Sequence, residues 1–363
     1  MKSIKVLLLI KYGRLGASSR LRALQYLPWL ADAGIQITTH SLISDDMLQE
    51  KYDVGGYSSG ELLSGYVKRL KLLVQRHNFD VIWIEKEALP WMPAWLELAL
   101  LRNVPYVLDY DDAVFHHYDK HRNPWVRRLY GHRLDHLMKT AALVVGGNEY
   151  LAQRARDAGA PWVEILPTVI DLERYRCRTD LVNDVTRIVW IGSPSTVGYL
   201  QILKEPLKAL AKRYDFELRV IGGGTVDMPG VQIKSVDWSE EAEVDSILTC
   251  DIGIMPLLDS LWERGKCGYK LIQYMACGLP TVASNIGVNA EIVLEGETGF
   301  LVSTTQEWFS ALDTLLKDPA LRVRMGRMGR QRVEHEYCIQ QTGTKMAELL
   351  HNVADQSLKN NQM

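Results

Sequence analysis

Short apolar runs alternate with amphipathic helical patterns along nearly the whole chain, and the alternation lapses once, near residues 172–186. Before the lapse, runs at 4–10, 35–39, 81–84, 105–108, 142–145 and 162–166 read as strands. Helical patterns fall between them at about 18–33, 61–77, 94–102, 123–140 and 148–158. After it, strands are expected at 187–191, 216–221, 252–256, 281–283 and 300–302. Helices are expected at about 196–213, 239–248, 268–277, 305–317 and 319–336. Parallel strands need crossovers, so repeated βα units with short turns imply doubly wound parallel sheets. The fold class is α/β: two Rossmann-like doubly wound domains, with a cleft between the carboxyl ends of their sheets. The domains are placed at 1–172 and 187–336, joined by a charged linker at 172–186. Residues 337–363 then form a C-terminal helix and a polar, frayed tail from 357.

A chain of 363 residues exceeds one ordinary core, in agreement with two domains. Its formal net charge of −2 gives no global attraction to nucleic acid or anionic membrane, so any such attraction is local. The five cysteines are odd in number and contain no CxxC pair, which points to a reducing, cytoplasmic setting and away from a disulfide framework or zinc site. The first apolar run is too short for a secretory signal and reads as a β-strand. No run has the length of a membrane span, so the expected protein is cytoplasmic, or peripheral on the inner face of a membrane.

The polar clusters follow predicted strands. After the third run of the second half come Arg264, Lys266, Gly268, Tyr269, Lys270 and Gln273. Lys266 and Lys270 have the spacing of one helical turn, at a helix start where backbone N–H groups and the helix dipole favour an anion. Gln273, one turn on, suits a sugar hydroxyl. The loop Gly192-Ser193-Pro-Ser-Thr196 offers hydroxyls and helix-start amides, and Gly222-Gly223-Gly224 leaves room for a nucleotide or makes a tight turn. In the first half, the loop 11–20 carries Gly13, Arg14, Gly16, Ser18 and Arg20; its spacing is not the GxGxxG dinucleotide fingerprint. Asp109-Tyr-Asp111-Asp112 ends a strand, with His116 and His117 soon after. Three roles stay open for these carboxylates: metal ligands against a diphosphate, caps of the loop, or a catalytic or acceptor-orienting pair. His132 and His136 lack the glutamate of HExxH and read as a solvated helix face. Arg122, Arg127, Arg128, Arg133 and Lys139, with Trp125 and Tyr130 interleaved, read as a charged outer face. With the 61–77 helix they also suit anionic lipid headgroups. On that helix Leu62, Leu63, Tyr66, Val67, Leu70, Leu73 and Val74 are expected to face the core, and Lys68, Arg69, Lys71 and Arg76 solvent.

The run from Gln273-Tyr-Met-Ala-Cys-Gly-Leu-Pro-Thr-Val-Ala-Ser284 through Gly287, Glu291-Ile-Val293 and Gly296-Glu-Thr-Gly-Phe-Leu-Val302 resembles the donor-binding segment of retaining GT-B glycosyltransferases of family 4. The resemblance implies transfer of a sugar from a nucleotide diphosphate sugar to a saccharide or lipid-linked acceptor, as in cell-surface polysaccharide synthesis. It also implies a C-terminal helix that crosses back to the first domain. The donor is expected on Gly16, Ser193, Thr196, Gly222, Gly223, Arg264, Gly268, Tyr269 and Gln273, the acceptor on Arg14, Ser18, Arg20, His116 and His117. Catalysis is expected from Lys266, Lys270, Asp111 and Asp112, without metal or other cofactor. The family's usual arginine and lysine after the first strand of the second domain are missing, so Arg264, Lys266 and Lys270 are assigned that charge. Of the family's E-x7-E pair, the second member falls on Gln273 and the first on Gly265. Two other readings share the fold: a nucleotide-sugar 2-epimerase, and a non-catalytic sugar-nucleotide binding protein.

Overall fold

The computed structural model describes residues 3–178 and 184–360. The chain divides into two compact units. One runs to Thr168 and adds residues 265–267 and the chain from Gln340 onward; the other comprises Val169–Arg264 and Gly268–Ile339.

The first unit is built on β1 (Ile4–Tyr12), β2 (Ile35–Ile43), β3 (Val81–Glu85), β4 (Tyr106–Tyr110), β5 (Leu143–Gly146) and β6 (Val163–Ile165). They form one parallel sheet in the order β2-β1-β3-β4-β5-β6. Val6–Ile10 and Val81–Ile84 are buried without alternation, as expected of a parallel sheet covered on both faces. The strand order reverses between β1 and β3, so the loops after β1, β3 and β4 share the carboxyl edge of the sheet at the switch point, the usual ligand position in open α/β sheets.

The second unit repeats the plan with β7 (Thr186–Ile191), β8 (Phe216–Ile221), β9 (Gln232–Val236), β10 (Ile252–Met255), β11 (Thr281–Ser284) and β12 (Gly299–Val302), ordered β12-β11-β10-β7-β8-β9 and parallel throughout. Ile188 and Trp190 enter the apolar layer under the helix Thr305–Lys317, while Val189 and Ile191 enter the layer under the helix Tyr269–Ala276. The switch point here lies between β7 and β10, which brings the loops at 192–196 and 256–268 to one edge.

Several expectations need correction. β9 is an additional edge strand, largely polar and exposed, which carries no apolar periodicity to betray it. The helix expected at 123–140 is two, Pro124–Tyr130 and Arg133–Thr140, interrupted at Gly131 and His132. His132 is thus a helix-capping position, and only His136 lies on the helix. In the helix Ser59–Val74, Leu63, Val67 and Val74 are exposed and Arg69 is fully buried. Its guanidinium donates to the carbonyls of Ile10, His40 (2.8 Å) and Ala88 (3.1 Å), joining β1, β2 and the loop after β3. Residues 172–178, expected as linker, pack into the second unit: Tyr175 is buried, Arg174 pairs with Glu240 and Glu243, and Arg178 with Asp251. Residues 179–183 of that stretch lie outside the described residues. The last helix runs from Ile339 to Asn360, and 361–363, in the expected tail, also lie outside. Among the described residues no helix is long and apolar enough to cross a membrane.

Candidate active site

In the first unit, the loop after β1 is pinned before it meets any ligand. Asp45 accepts hydrogen bonds from the backbone N–H groups of Arg14 (3.1 Å) and Leu15 (2.8 Å). Glycine is required at both ends of this loop: a Cβ on Gly13 would stand 2.4 Å from the Asp45 carboxylate, and one on Gly16 2.2 Å from Tyr12 Cβ. Ser19 Oγ donates to Glu85 and accepts from the Tyr12 N–H at 3.0 Å. Of the two arginines expected to meet an acceptor, only Arg14 is exposed. Arg20 is buried and donates to the Arg14 carbonyl at 2.9 Å, so it braces the loop. Arg22 is buried against Asp109 at 2.8 Å and the Leu166 carbonyl at 2.7 Å. Burial pushes the Asp109 carboxyl up to about 6, against the opposing pull of Arg22.

The next loop supplies residues that no motif announced. Glu85 ends β3, Lys86 and Glu87 follow it, and all three are buried. Lys86 has φ +66°, in the left-handed region that costs a residue with a Cβ of order 1 kcal/mol or more. Its ammonium lies 2.6 Å from Ser18 Oγ, 2.9 Å from Asp111 Oδ1, 3.7 Å from Glu85 and 3.9 Å from Asp112. The expected acceptor residue Ser18 is therefore engaged: it accepts from Lys86 and donates to Asp111. Asp111 is half-buried, which raises its carboxyl, but Lys86 and the Ser18 hydroxyl more than offset this and hold it below the usual range. Asp112 is 29% exposed at its side chain, and burial together with the neighbouring Asp111 charge raises it. The signal that could have drawn attention here is the run Glu85-Lys-Glu87 directly after an apolar strand.

His116 is taken up structurally, with Nδ1 at 2.7 Å from Asp119 and Nε2 at 2.8 Å from the Tyr150 hydroxyl. His117 is exposed, and partial burial with the Lys11 and Lys86 charges lowers it to about 4, so it is neutral at physiological pH. Lys266 belongs to this unit and precedes the helix Tyr269–Ala276, so it is not one helical turn from Lys270 as the spacing suggested. The segment is fixed by Asn148, whose amide donates to the carbonyls of Gly265 (3.2 Å) and Lys266 (3.0 Å), and Lys266 Nζ stands 3.9 Å from Asp112. Asp112 lies between two ammonium groups and contacts neither closely.

In the second unit, Lys270 Nζ sits over the Trp190 ring, 4.3 Å from its centroid. A Cβ on Gly192 would stand 2.8 Å from that nitrogen, so the charge lies directly against the loop after β7. Gly222 adopts φ +74°, and a Cβ there would come 2.7 Å from the Gly192 carbonyl; one on Gly223 would meet Val220, Trp190 and Val197 below 3 Å. The structure thus assembles Gly192, Gly222, Gly223, Trp190 and Lys270 into one glycine-lined, cationic edge. Ser193 and Thr196 complete the loop, with Thr196 Oγ1 donating to the Ser193 carbonyl at 3.0 Å and Ser193 Oγ 2.8 Å from Ser195 Oγ.

Four donor-site expectations fare differently. Gln273 is buried and its amide donates to the Tyr175 hydroxyl at 2.7 Å, so it faces an internal network and not a ligand hydroxyl. Tyr269 joins the same network through Tyr175 (3.0 Å), which Glu243 anchors. Arg264 pairs with Asp259 at 2.9 Å on an exposed short helix, and Gly268 caps the helix Tyr269–Ala276 with φ +65°. Among the described residues, no group of three or more His, Cys, Asp or Glu is arranged to hold a metal ion.

Two family models match the chain in tandem: the glycosyl transferase 4-like domain over residues 16–168, and glycosyl transferases group 1 over residues 185–318. The chain belongs to the group 1, family 4-like glycosyltransferases of GT-B fold. Among its relatives are the D-inositol 3-phosphate glycosyltransferase of Pseudarthrobacter chlorophenolicus, 26% identical over 54% of this chain and 52% of that protein. Another is the GDP-mannose-dependent monoacylated alpha-(1-6)-phosphatidylinositol monomannoside mannosyltransferase of Corynebacterium glutamicum, 25% identical over 56% and 61%. The matches thus span about half the length of these curated relatives. This family member also shares its fold with the sucrose-phosphate synthase of Thermosynechococcus elongatus (TM-score 0.70, 15% identity, 96% of this chain and 99% of that one). Anabaena HepE in complex with UDP-glucose aligns comparably (TM-score 0.67, 15% identity, 96% and 100%).

Proposed function

We propose that the protein transfers a glycosyl group from a nucleotide diphosphate sugar to an acceptor hydroxyl, with retention at the anomeric carbon. The observation that carries the reading is Lys270, held over Trp190 against the glycine loops at the switch point of the second sheet. Departure of the nucleotide diphosphate develops negative charge on its β-phosphate, and a preorganised ammonium beside backbone N–H groups stabilises that charge most where it forms. The structural neighbour that holds UDP-glucose and the relative that uses GDP-mannose support a sugar nucleotide as donor. The acceptor belongs to the first unit, where Arg14, Asp112 and His117 remain accessible. The leaving phosphate takes the acceptor's proton, so no protein nucleophile is required. The reaction needs no metal: the Lys86 ammonium, 2.9 Å from Asp111, already supplies a cation to the carboxylate that a divalent ion would otherwise hold.

A thermal-shift panel of UDP-, GDP-, ADP- and dTDP-sugars should show stabilisation by one nucleotide class, because a ligand that binds only the folded state raises apparent stability by mass action. With the selected donor, nucleoside diphosphate should accumulate only when acceptor is added, at a rate unchanged by EDTA. Acceptor-independent interconversion of the sugar would favour the epimerase reading. Binding without turnover of any kind would favour the non-catalytic one.

The acceptor is a saccharide or a lipid-linked saccharide of cell-surface polysaccharide synthesis, and a membrane-facing surface supports the second. On the helix Pro124–Tyr130, Trp125 (68%) and Leu129 (72%) are exposed beside Arg122, Arg127 and Arg128. Trp91 and Trp95 are exposed as well, with Trp91 packed edge-on against Tyr118, His121 and Tyr130. Indole rings beside arginines match the interface of an anionic bilayer, although Arg133 is buried and leaves this set. The protein should co-sediment with phosphatidylglycerol vesicles and not with phosphatidylcholine vesicles. Replacing Trp125 and Leu129 by serine should abolish that binding while leaving donor stabilisation intact.

A further inference from the structure

We infer that Lys86 is a positioning residue for acceptor binding: it clamps Asp111, so that Asp112, next in the chain, presents its carboxylate beside Lys266 to an acceptor hydroxyl. The inference rests on the transferase reading and concerns only the first unit.

Two features of Lys86 are unusual together. A lysine is rarely buried, and this one is 5% exposed. It occupies a left-handed backbone conformation that glycine or asparagine would adopt at less cost. Strain of this kind persists where the surroundings over-determine it, and here they do. Its N–H donates to the Asp109 carbonyl at 2.8 Å, which ties the turn after β3 to the end of β4. Glu85 on one side holds the loop after β1 through Ser19 and the Lys11 N–H (2.9 Å), while Glu87 on the other holds Arg133 and the Tyr118 hydroxyl (2.8 Å). The two flanking carboxylates are thus anchored in opposite directions, and the left-handed turn swings the lysine between them towards Asp111.

The two aspartates are treated differently. Asp111 has one oxygen on Ser18 and the other 2.9 Å from the ammonium. Asp112 stands 3.9 Å from Lys86 and 3.9 Å from Lys266, beyond hydrogen-bond distance of both. A carboxylate flanked by two cations, yet in hydrogen-bond contact with neither, has lone pairs left to accept from a hydroxyl. Asp111 fixes the loop and Asp112 does the recognising. The other charged groups around the pair are Lys11 on β1, Glu85 and Glu87 after β3, Arg22 with Asp109, and His117.

Lys86→Met removes the cation and keeps the volume; Lys86→Arg keeps a cation. With the donor selected by the nucleotide-sugar panel, Lys86→Met should lower kcat/KM for acceptor on the order of 10²-fold, the effect of a misplaced contact. Donor-induced thermal stabilisation should remain. The acidic limb of kcat/KM for acceptor should move to higher pH, because the carboxylates lose the charge that keeps them ionised, and Lys86→Arg should restore the limb. A purely structural lysine would reduce stability and the amount of active protein without moving that limb, and such a result overturns the inference. Carboxyl NMR titration of Asp111 and Asp112 in wild type and Lys86→Met reads the same coupling without turnover: unchanged titration overturns the inference. A wild-type protein that shows the Asp–Lys coupling but neither binds nor turns over any sugar nucleotide overturns the transferase reading instead.

Discussion

Lys270→Ala is expected to lower kcat on the order of 10²–10³-fold, equivalent to about 2.7–4 kcal/mol of lost transition-state stabilisation, with a much smaller change in donor affinity. The asymmetry follows from where the ammonium acts. Before reaction the diphosphate carries its charge spread over both phosphates; as the glycosidic bond breaks, charge gathers on the β-phosphate, and a nearby fixed cation gains most at that stage. Lys270 is fixed by Trp190, whose ring it covers at 4.3 Å, so little reorganisation is needed. Gly192→Ala tests the same geometry without touching the charge. Its Cβ would stand 2.6 Å from the Trp190 ring and 2.8 Å from Lys270 Nζ, so the lysine or the indole must move. It should reproduce part of the kcat loss while the pH dependence stays as in wild type. Steady-state kinetics with the selected donor decides the matter, and unchanged transfer by Lys270→Ala would remove the phosphate assignment. Lys266→Ala should act differently. Its ammonium neighbours Asp112 in the first unit, so the expected loss includes a rise in acceptor KM.

The strands were legible because parallel strands buried on both faces leave uninterrupted apolar runs, as in Val6–Ile10 and Ile252–Met255. The polar loops after them were legible for the same reason, since a loop is found once its strand is. What escaped was buried charge. Arg69 and Arg133 read as solvent-facing, because helical periodicity sorts residues by hydropathy and places a guanidinium outside, and Arg20 read as an acceptor contact. Arg69 and Arg133 are buried because their partners arrive from elsewhere in the chain, as Asp109 does for Arg22: the Ile10, His40 and Ala88 carbonyls for Arg69, and Glu87 and Glu97 for Arg133. Gln273 escaped similarly. Its position on the helix was anticipated, but Tyr175 lies in the stretch read as linker, so nothing indicated that the amide was already engaged. Lys86 was hidden by a backbone conformation that sequence assigns to glycine or asparagine, not lysine.

Arg133→Met should be the most destabilising of the single substitutions considered, costing about 3–5 kcal/mol through two carboxylates left buried without a counter-charge. Arg133 pairs with Glu87 and Glu97 at once and donates to the Leu89 carbonyl (2.7 Å) and the Met92 carbonyl (2.6 Å). Glu97, fully buried, also accepts from the N–H groups of Ala88 (2.8 Å) and Leu89 (3.2 Å). One guanidinium therefore closes the whole loop from 87 to 92, and with it the turn that carries Lys86. Thermal unfolding of the first unit should fall on the order of 10 °C. The pH dependence has a definite sign. Burial already raises the Glu97 carboxyl above its usual value, with Arg133 opposing. Without Arg133 it rises further, so the folded state binds a proton more readily than the unfolded chain, and stability increases as pH falls towards the unfolded value of about 4.3. The deficit of the variant should accordingly be largest at pH 8 and shrink near pH 5. Glu87→Gln and Glu97→Gln added to Arg133→Met should recover much of the loss at pH 8, because neutral amides carry no buried charge to compensate. A deficit that stays constant from pH 5 to pH 8 and is not relieved in the triple variant would mean that Arg133 contributes by filling space, and not by pairing with these two carboxylates.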